Sequence, residues 1–71
     1  MDTDITFLKE FGLKVQQRRK ELGISQEELA YRAGFHRTYI GMIERAERNI
    51  TLSNLKRLAD ALGVELKELF D

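Results

Sequence analysis

The 71-residue sequence contains no cysteine, no proline and no tryptophan, and it has a single histidine. Without cysteine the chain has no disulfide, no thiolate metal ligand and no thiol nucleophile. One histidine leaves little material for metal binding or proton transfer, so we expect neither a metal site nor a cofactor. The absence of proline, with only five glycines, favours a helical chain with short connections.

The chain is also short, and it lacks the motifs that an enzyme would need. It fits one domain, residues 1–71, and a domain of this size buries only about 60% of its unfolded surface. It has no histidine–carboxylate cluster and no glycine-rich phosphate loop, so we do not expect an enzyme. No signal peptide or membrane span is recognisable, so we expect a cytoplasmic protein from a bacterium or phage, without a membrane partner.

Neither sign of charge is in excess, because twelve Lys and Arg balance twelve Asp and Glu. The distribution is nevertheless uneven. Residues 14–58 hold ten basic and five acidic side chains, whereas residues 1–13 sum to −2 and residues 59–71 to −3. A basic middle segment favours a phosphate-bearing partner, and acidic ends can face away from it or toward a second subunit.

Residues 26–45 carry the most informative pattern of the chain, which is two short helices joined at a glycine. Gly34 provides the sharp turn, and apolar residues line one side of the helix before it and of the helix after it. This pattern predicts a helix-turn-helix. Its second helix, beginning at His36 or Arg37, would enter the major groove of DNA.

Helical patterns also precede and follow this segment. The first helix runs to about Leu22, residues 46–50 form a polar loop, a fourth helix ends at Gly63, and a fifth spans residues 65–70. We therefore expect an all-α, compact five-helix domain. The candidate caps are Thr3 or Asp4, Ser25 in a capping box with Glu28, and Thr51 or Ser53. The predicted core is Phe11, Val15, Leu22, Ile24, Leu29, Ala30, Ala33, Phe35, Ile40, Ile43, Leu55, Leu58, Ala59 and Leu62.

Residues 11–70 resemble the phage-repressor-like helix-turn-helix domains of Cro/C1 type. The matching stretches are RRKELG, ISQEELA, AG, IER and LADALGV. Within that family, HRTYIGMIER followed by ERNITLSNL is similar to the controller proteins of restriction–modification systems, small dimeric regulators of restriction-enzyme expression. The resemblance implies a lambda-repressor-like fold that binds double-stranded DNA. Many relatives have glycine at the position of Ala46, where a left-handed alanine would cost about 1 kcal/mol.

Arg37, Thr38 and Met42 are the predicted base-reading residues. Arg37 begins the third helix and can bind guanine O6 and N7, with a solvated side chain as the alternative. Thr38 can offer its methyl to thymine or its hydroxyl to a phosphate. Met42, one turn later, can contact thymine methyls or fill a half-exposed site. Gly41 leaves room for DNA or a second subunit, or reflects local packing.

Five residues are predicted to contact the DNA backbone. Gln26 begins the second helix, where unpaired amides and the helix dipole bind anions. Tyr39 can offer its hydroxyl to a phosphate or pack against the domain. His36 can cap the third helix or lie beside a phosphate. The resemblance to controllers implies that Arg48 and Asn49 also contact the DNA backbone. For Asn49 the alternative is a role in capping the loop.

The family resemblance also assigns Arg19 and Glu44 to a partly buried ion pair between the first and third helices. Their role is therefore structural, and neither residue is expected to touch DNA. Lys14 and Arg18, on the first helix, are interpreted as solvated or phosphate-facing side chains.

The end of the chain contains more apolar residues than the core requires, and we interpret the surplus as a dimer seam. A two-fold symmetric dimer would place its two third helices about 34 Å apart, which matches a pseudo-palindromic site. The sequence thus predicts a homodimeric, sequence-specific transcription regulator, with RNA polymerase as a further candidate partner. The seam residues are Leu52, Val64, Leu66, Leu69 and Phe70.

An antitoxin or accessory interaction module, whose main partner is a protein, is the alternative function. The zero net charge and the acidic ends favour it. DNA affinity that falls steeply with salt would favour the regulator instead, since phosphate contacts release counterions.

Overall fold

The computed structural model describes residues 5–70, which form four α-helices followed by one turn of 3-10 helix. The helices are α1 (Ile5–Glu21), α2 (Gln26–Ala33), α3 (Arg37–Glu44) and α4 (Leu52–Leu62), and the 3-10 turn spans Leu66–Leu69. The caps predicted at Thr3 or Asp4 lie outside the described residues. None of the helices in residues 5–70 has the length and apolarity needed to traverse a bilayer.

The fifth helix expected over residues 65–70 is wrong, because this segment forms only a 3-10 turn. Its amides bond three residues back, from Glu68 N to Glu65 O at 3.0 Å and from Phe70 N to Lys67 O at 3.1 Å. The carboxylates of Glu65 and Glu68 each accept from the other residue's amide, which closes the segment into a single turn. A 3-10 turn is wound more tightly than an α-helix, and here its last residue, Leu69, is buried in the core.

Helices α2, α3 and α4 each begin with a side chain that accepts a hydrogen bond from an amide of the first turn. These caps satisfy amides that have no partner within the helix. The sequence predicted the cap at Ser25, offered capping as one candidate role for His36, and left Thr51 and Ser53 as alternatives, of which Thr51 is the cap. The bonds are Ser25 Oγ with Glu28 N at 3.0 Å, His36 Nδ1 with Thr38 N at 3.1 Å, and Thr51 Oγ1 with Asn54 N at 3.2 Å.

Each of the four α-helices in residues 5–70 ends in the same backbone motif, with a left-handed residue just past the helix. That residue is glycine after α1, α2 and α4. After α3 it is Ala46, at φ 59°. The amides of Ala46 and Glu47 donate to Ile43 O at 3.1 Å and Met42 O at 2.8 Å. The motif thus forms without glycine, at a cost of about 1 kcal/mol for the alanine.

The four helices and the 3-10 turn enclose one hydrophobic core. Leu22, which we expected inside, is exposed because it lies beyond the last turn of α1. Leu69, which we assigned to the dimer seam, is 3% exposed and packs in this core, so that assignment is wrong. The buried apolar residues are Leu8, Phe11, Val15, Leu29, Ala30, Ala33, Ile40, Ile43, Leu58, Ala59, Leu62 and Leu69.

Gly12 allows α1 to pass directly against the end of α3. A Cβ atom at Gly12 would lie 2.6 Å from Ile43 O and 2.7 Å from Glu44 O, closer than side chains approach a backbone. Neither carbonyl can swing aside, because both belong to the last turn of α3. The sequence reading gave Gly12 no role, although a glycine inside a helix costs up to about 1 kcal/mol.

We expect Gly12→Ala to lower the free energy of unfolding by about 1–3 kcal/mol, because the added methyl would separate α1 from α3. Gly41→Ala is the matched control. It also replaces a helical glycine, but the atoms nearest to its Cβ would be those of the Arg45 guanidinium, from 2.9 Å, at the end of a flexible side chain. Urea unfolding measures both variants. A Gly12→Ala protein as stable as the wild type would contradict the close contact.

Candidate nucleic-acid interface

The turn between α2 and α3 is fixed from outside by Arg57 of α4. Its Nε donates to Ala33 O at 3.2 Å and its Nη2 donates to Gly34 O at 2.8 Å. The same guanidinium lies 4.4 Å from the ring centroid of Phe35. These contacts satisfy carbonyls at the end of α2 and in the turn that leads to α3. The sequence reading did not single out Arg57.

Helix α3 has one face turned to the core and one turned outward. Successive residues in an α-helix are about 100° apart, so positions seven apart lie on the same side. The outer face therefore runs from the first turn of α3 to the residue that follows the helix. The buried residues of the helix are Ile40, Gly41, Ile43 and Glu44, and the exposed residues are Arg37, Thr38 and Arg45. Thr38 and Arg45 lie on the outer side, whereas Arg37 is seven residues before Glu44 and is exposed in the first turn of the helix.

The three predicted base-reading residues differ in exposure. Arg37 and Thr38 are exposed in the first turn of α3, where His36 caps the amide of Thr38. Met42 is half-buried one turn later. In recognition helices the N-terminal residues reach the base edges, and the exposed pair lies at that end. Met42 has part of its side chain packed and part available to a ligand.

Tyr39 is half-buried, and its ring and its hydroxyl both have partners in the fold. The ring packs edge-on against Phe35, with centroids 4.9 Å apart. The hydroxyl oxygen accepts a hydrogen bond from Asn54 Nδ2 at 3.1 Å. Because a phenol can donate while it accepts, this position still allows a hydrogen bond to a phosphate. Of the two predicted roles, the packing role is seen directly.

The ion pair expected between Arg19 and Glu44 is present and nearly buried. Arg19 Nε and Nη2 donate to the two carboxylate oxygens of Glu44 at 2.7 Å and 3.2 Å, and the Glu44 side chain is 1% exposed. Gln26 Nε2 donates to the same carboxylate at 3.0 Å. Arg19 Nη1 also donates to Ile24 O at 3.0 Å. The charge on Glu44 is therefore compensated by three donors, and Gln26 is held at the start of α2.

The loop after α3 carries Arg48 and Asn49, which are exposed. The Arg48 guanidinium lies 5.9 Å from the ring centroid of Tyr39, so this cation flanks α3. Arg45 and Glu47 form an ion pair just before it, with Nε and Oε2 3.0 Å apart. Their hydrogen bond lowers the pKa of the Glu47 carboxyl and raises the pKa of Arg45.

The remaining seam residues form no single exposed stripe. Leu52 is 71% exposed at the start of α4, and Phe70 is 42% exposed. Phe70 stacks on Phe7 with ring centroids 5.6 Å apart, which extends its apolar surface onto α1. Val64 and Leu66 are half-buried and pack against the core. Leu52 and Phe70 therefore remain the exposed candidates for a contact between subunits.

Arg18 was interpreted as solvated or phosphate-facing, but its side chain is only 34% exposed and also makes a structural contact. Its Nε donates to Leu62 O at 3.1 Å, so it binds a carbonyl in the last turn of α4. Carbonyls at a helix C-terminus lack amide partners and attract cations. The contact joins residues 44 positions apart, and helical periodicity carries no signal for it.

Comparison with known proteins points to the same architecture. Residues 15–69 match the helix-turn-helix family HTH_3. The chain is 48% identical over 62 residues to Control protein C.BamHI of Bacillus amyloliquefaciens, covering 86% of this chain and 76% of that protein. It matches the crystal structure of the restriction-modification controller protein C.AhdI from Aeromonas hydrophila with a TM-score of 0.89 and 42% identity, covering 93% and 96% of the two chains.

It also matches SinR of Bacillus subtilis, the master regulator for biofilm formation, in a structure with DNA. That TM-score is 0.81 at 35% identity, covering 86% and 98% of the chains.

We expect Glu44→Ala to lower the free energy of unfolding by about 3 kcal/mol, because Arg19 would be left nearly buried without its partner. Glu28→Ala is the matched control, since it breaks the exposed pair with Arg32 on α2. Exposed pairs contribute at most about 1 kcal/mol. Urea unfolding compares the two variants, and equal small losses would show that the buried pair contributes little.

Proposed function

The chain belongs to the helix-turn-helix family HTH_3, of Cro/C1 type, and we propose that it is a sequence-specific DNA-binding regulator of transcription. We assign it the role of a restriction–modification controller, since C.BamHI and C.AhdI are proteins of that kind. In this proposal residues 1–71 form one DNA-binding domain that acts as a homodimer. Such a role requires binding alone, without catalysis.

The observation that carries the proposal is the exposed first turn of α3 on a fixed support. Arg37 and Thr38 are exposed in this turn, while Ile40 and Ile43 are buried in the core and Glu44 ties the last turn of α3 to Arg19. A bidentate arginine–guanine contact discriminates by about 1–3 kcal/mol. We assign base reading to Arg37 and Thr38, with Met42 contributing apolar contact.

The proposed backbone contacts surround this turn. Gln26 stands at the start of α2, where amides without helical partners favour a phosphate. His36 and Tyr39 flank the first turn of α3, and Arg48 with Asn49 extends the surface along the next loop. Contacts of this kind fix the register of a protein on duplex DNA and read no sequence directly.

A homodimer would supply the second reading unit. One small module buries little surface on DNA, and two-fold symmetry would present two α3 helices to half-sites about 34 Å apart. The exposed apolar side chains of Leu52 and Phe70 support self-association. Bound at a promoter, the dimer would have RNA polymerase as a candidate partner.

Arg37→Ala and Gln26→Ala should change DNA binding in different ways. We expect Arg37→Ala to relax the base preference at one position of each half-site, because a base contact is lost. Gln26→Ala should weaken binding to all duplexes alike, because a phosphate contact carries no sequence information and Arg19 still pairs with Glu44 when the Gln26–Glu44 hydrogen bond is lost.

The measurement is Kd, across a salt series, for a duplex selected from a random DNA pool and for an unselected duplex. Wild-type protein that binds both duplexes equally would refute the regulator proposal and favour a protein partner. Equal losses for both variants on every duplex would refute the role of Arg37.

Leu52→Glu should shift the protein toward monomer and weaken binding to the selected duplex, because a charge would enter the apolar contact between subunits. Leu13→Glu is the control, since Leu13 is a similarly exposed leucine on α1 outside the seam. Sedimentation velocity reports the oligomeric state of each variant. A Leu52→Glu protein that associates as the wild type does would remove Leu52 from the seam.

A further inference from the structure

Arg45 lies on the outward face of α3, although the sequence reading gave it no role. It follows Thr38 by seven residues and Gly41 by four, so the three positions share one side of the helix. Its guanidinium folds back over Gly41, where a Cβ would lie 2.9 Å from Nη1. Gly41 thus provides the space in which the Arg45 side chain rests, which supports the local-packing explanation for this glycine.

Glu47 holds the guanidinium of Arg45 in this position. Arg45 Nε donates to Glu47 Oε2 at 3.0 Å and Nη2 donates to Oε1 at 3.1 Å, a two-point contact. Both side chains are more than half exposed. The contact lowers the pKa of the Glu47 carboxyl, so that carboxylate is charged at neutral pH. Of the two acids in residues 36–50, Glu44 is buried against Arg19, and Glu47 is the one that faces solvent.

We propose that Arg45 is an additional DNA-phosphate contact and that Glu47 is its intramolecular competitor in the free protein. The inference rests on the proposed DNA-binding function. A phosphate offers two oxygens to a guanidinium as a carboxylate does, so one two-point contact can replace the other. Arg45 stands at the C-terminal end of α3, away from the turn that reaches base edges, so its partner is the backbone. Binding then exchanges the Glu47 carboxylate for a phosphate.

The exchange is feasible because the pair is exposed. Exposed ion pairs contribute little free energy, and a phosphate in the field of a duplex competes well with a single carboxylate. Glu47 would therefore weaken binding to every duplex, selected or random, without altering base preference.

Glu47→Gln, Arg45→Ala and the double variant test the exchange, with Asp60→Asn as the control. Asp60→Asn removes the same charge and breaks a similarly exposed pair with Lys56 on α4, outside the residues proposed to contact DNA. Kd is measured by fluorescence anisotropy across a KCl series, on a duplex selected from a random pool and on a random duplex.

We expect Glu47→Gln to tighten binding to both duplexes by about threefold to fivefold relative to Asp60→Asn. Arg45→Ala should weaken binding to both and reduce the slope of log K against log salt by about 0.9, the value for one phosphate contact. In the Arg45→Ala background, Glu47→Gln should have no more effect than Asp60→Asn.

Three results would overturn the inference. Glu47→Gln and Asp60→Asn could act alike, which would reduce Glu47 to a general charge. Glu47→Gln could tighten binding equally without Arg45, which would show repulsion of DNA rather than competition for Arg45. Arg45→Ala could weaken only the selected duplex, which would make Arg45 a base reader. These results can be told apart from failure of the regulator proposal, because in that case the wild-type protein would bind the selected and the random duplex with equal Kd.

Discussion

The orientation of α3 depends on one junction, where the Glu44 carboxylate meets Arg19 and Gln26. A buried carboxylate is tolerated only when hydrogen-bond donors surround it, and here α1 and α2 supply them. Three helices are thereby tied at one point. Gly12 reinforces the junction, because it lets the backbone of α1 approach the last carbonyls of α3. The outward face of α3 is therefore positioned by groups on its opposite side.

Several arginines stabilise the fold and are not free for the proposed DNA surface. Arg18 and Arg57 each donate to carbonyls at the end of a helix other than their own, and Arg19 binds both a carbonyl and Glu44. A guanidinium suits this task, because its several donors can reach a carbonyl and a second partner together. The basic balance of residues 14–58 thus overstates the charge available to phosphates, and α3 with its loop supplies much of the remainder.

Features that depend on residues close together in the sequence were predictable. Features that depend on residues far apart in the sequence were not. The caps at Ser25 and Thr51 depend on residues within one turn, so the spacing of side chains revealed them. The Arg19–Glu44 pair was available only through family resemblance. Contacts such as that between Arg57 and Ala33, 24 positions apart, depend on how the helices pack, which periodicity does not encode. In the candidate site the exposed first turn of α3 was foreseen, whereas the pairing of Arg45 beyond its last turn was not.

The left-handed alanine after α3 affects the unfolded chain as well as the folded one. Glycine at position 46 would relieve strain, yet it would also give the unfolded chain more conformational entropy, worth about 0.4–1 kcal/mol. The strain of the alanine and the extra entropy that glycine would give the unfolded chain nearly cancel in the free energy of unfolding. Their effects on the flexibility of the loop in the folded protein do not cancel. Alanine restricts the backbone that carries Arg48 and Asn49 to fewer conformations. In the proposed complex, a loop with fewer conformations would lose less entropy on docking to a duplex, so the strain at Ala46 would be accompanied by preorganisation.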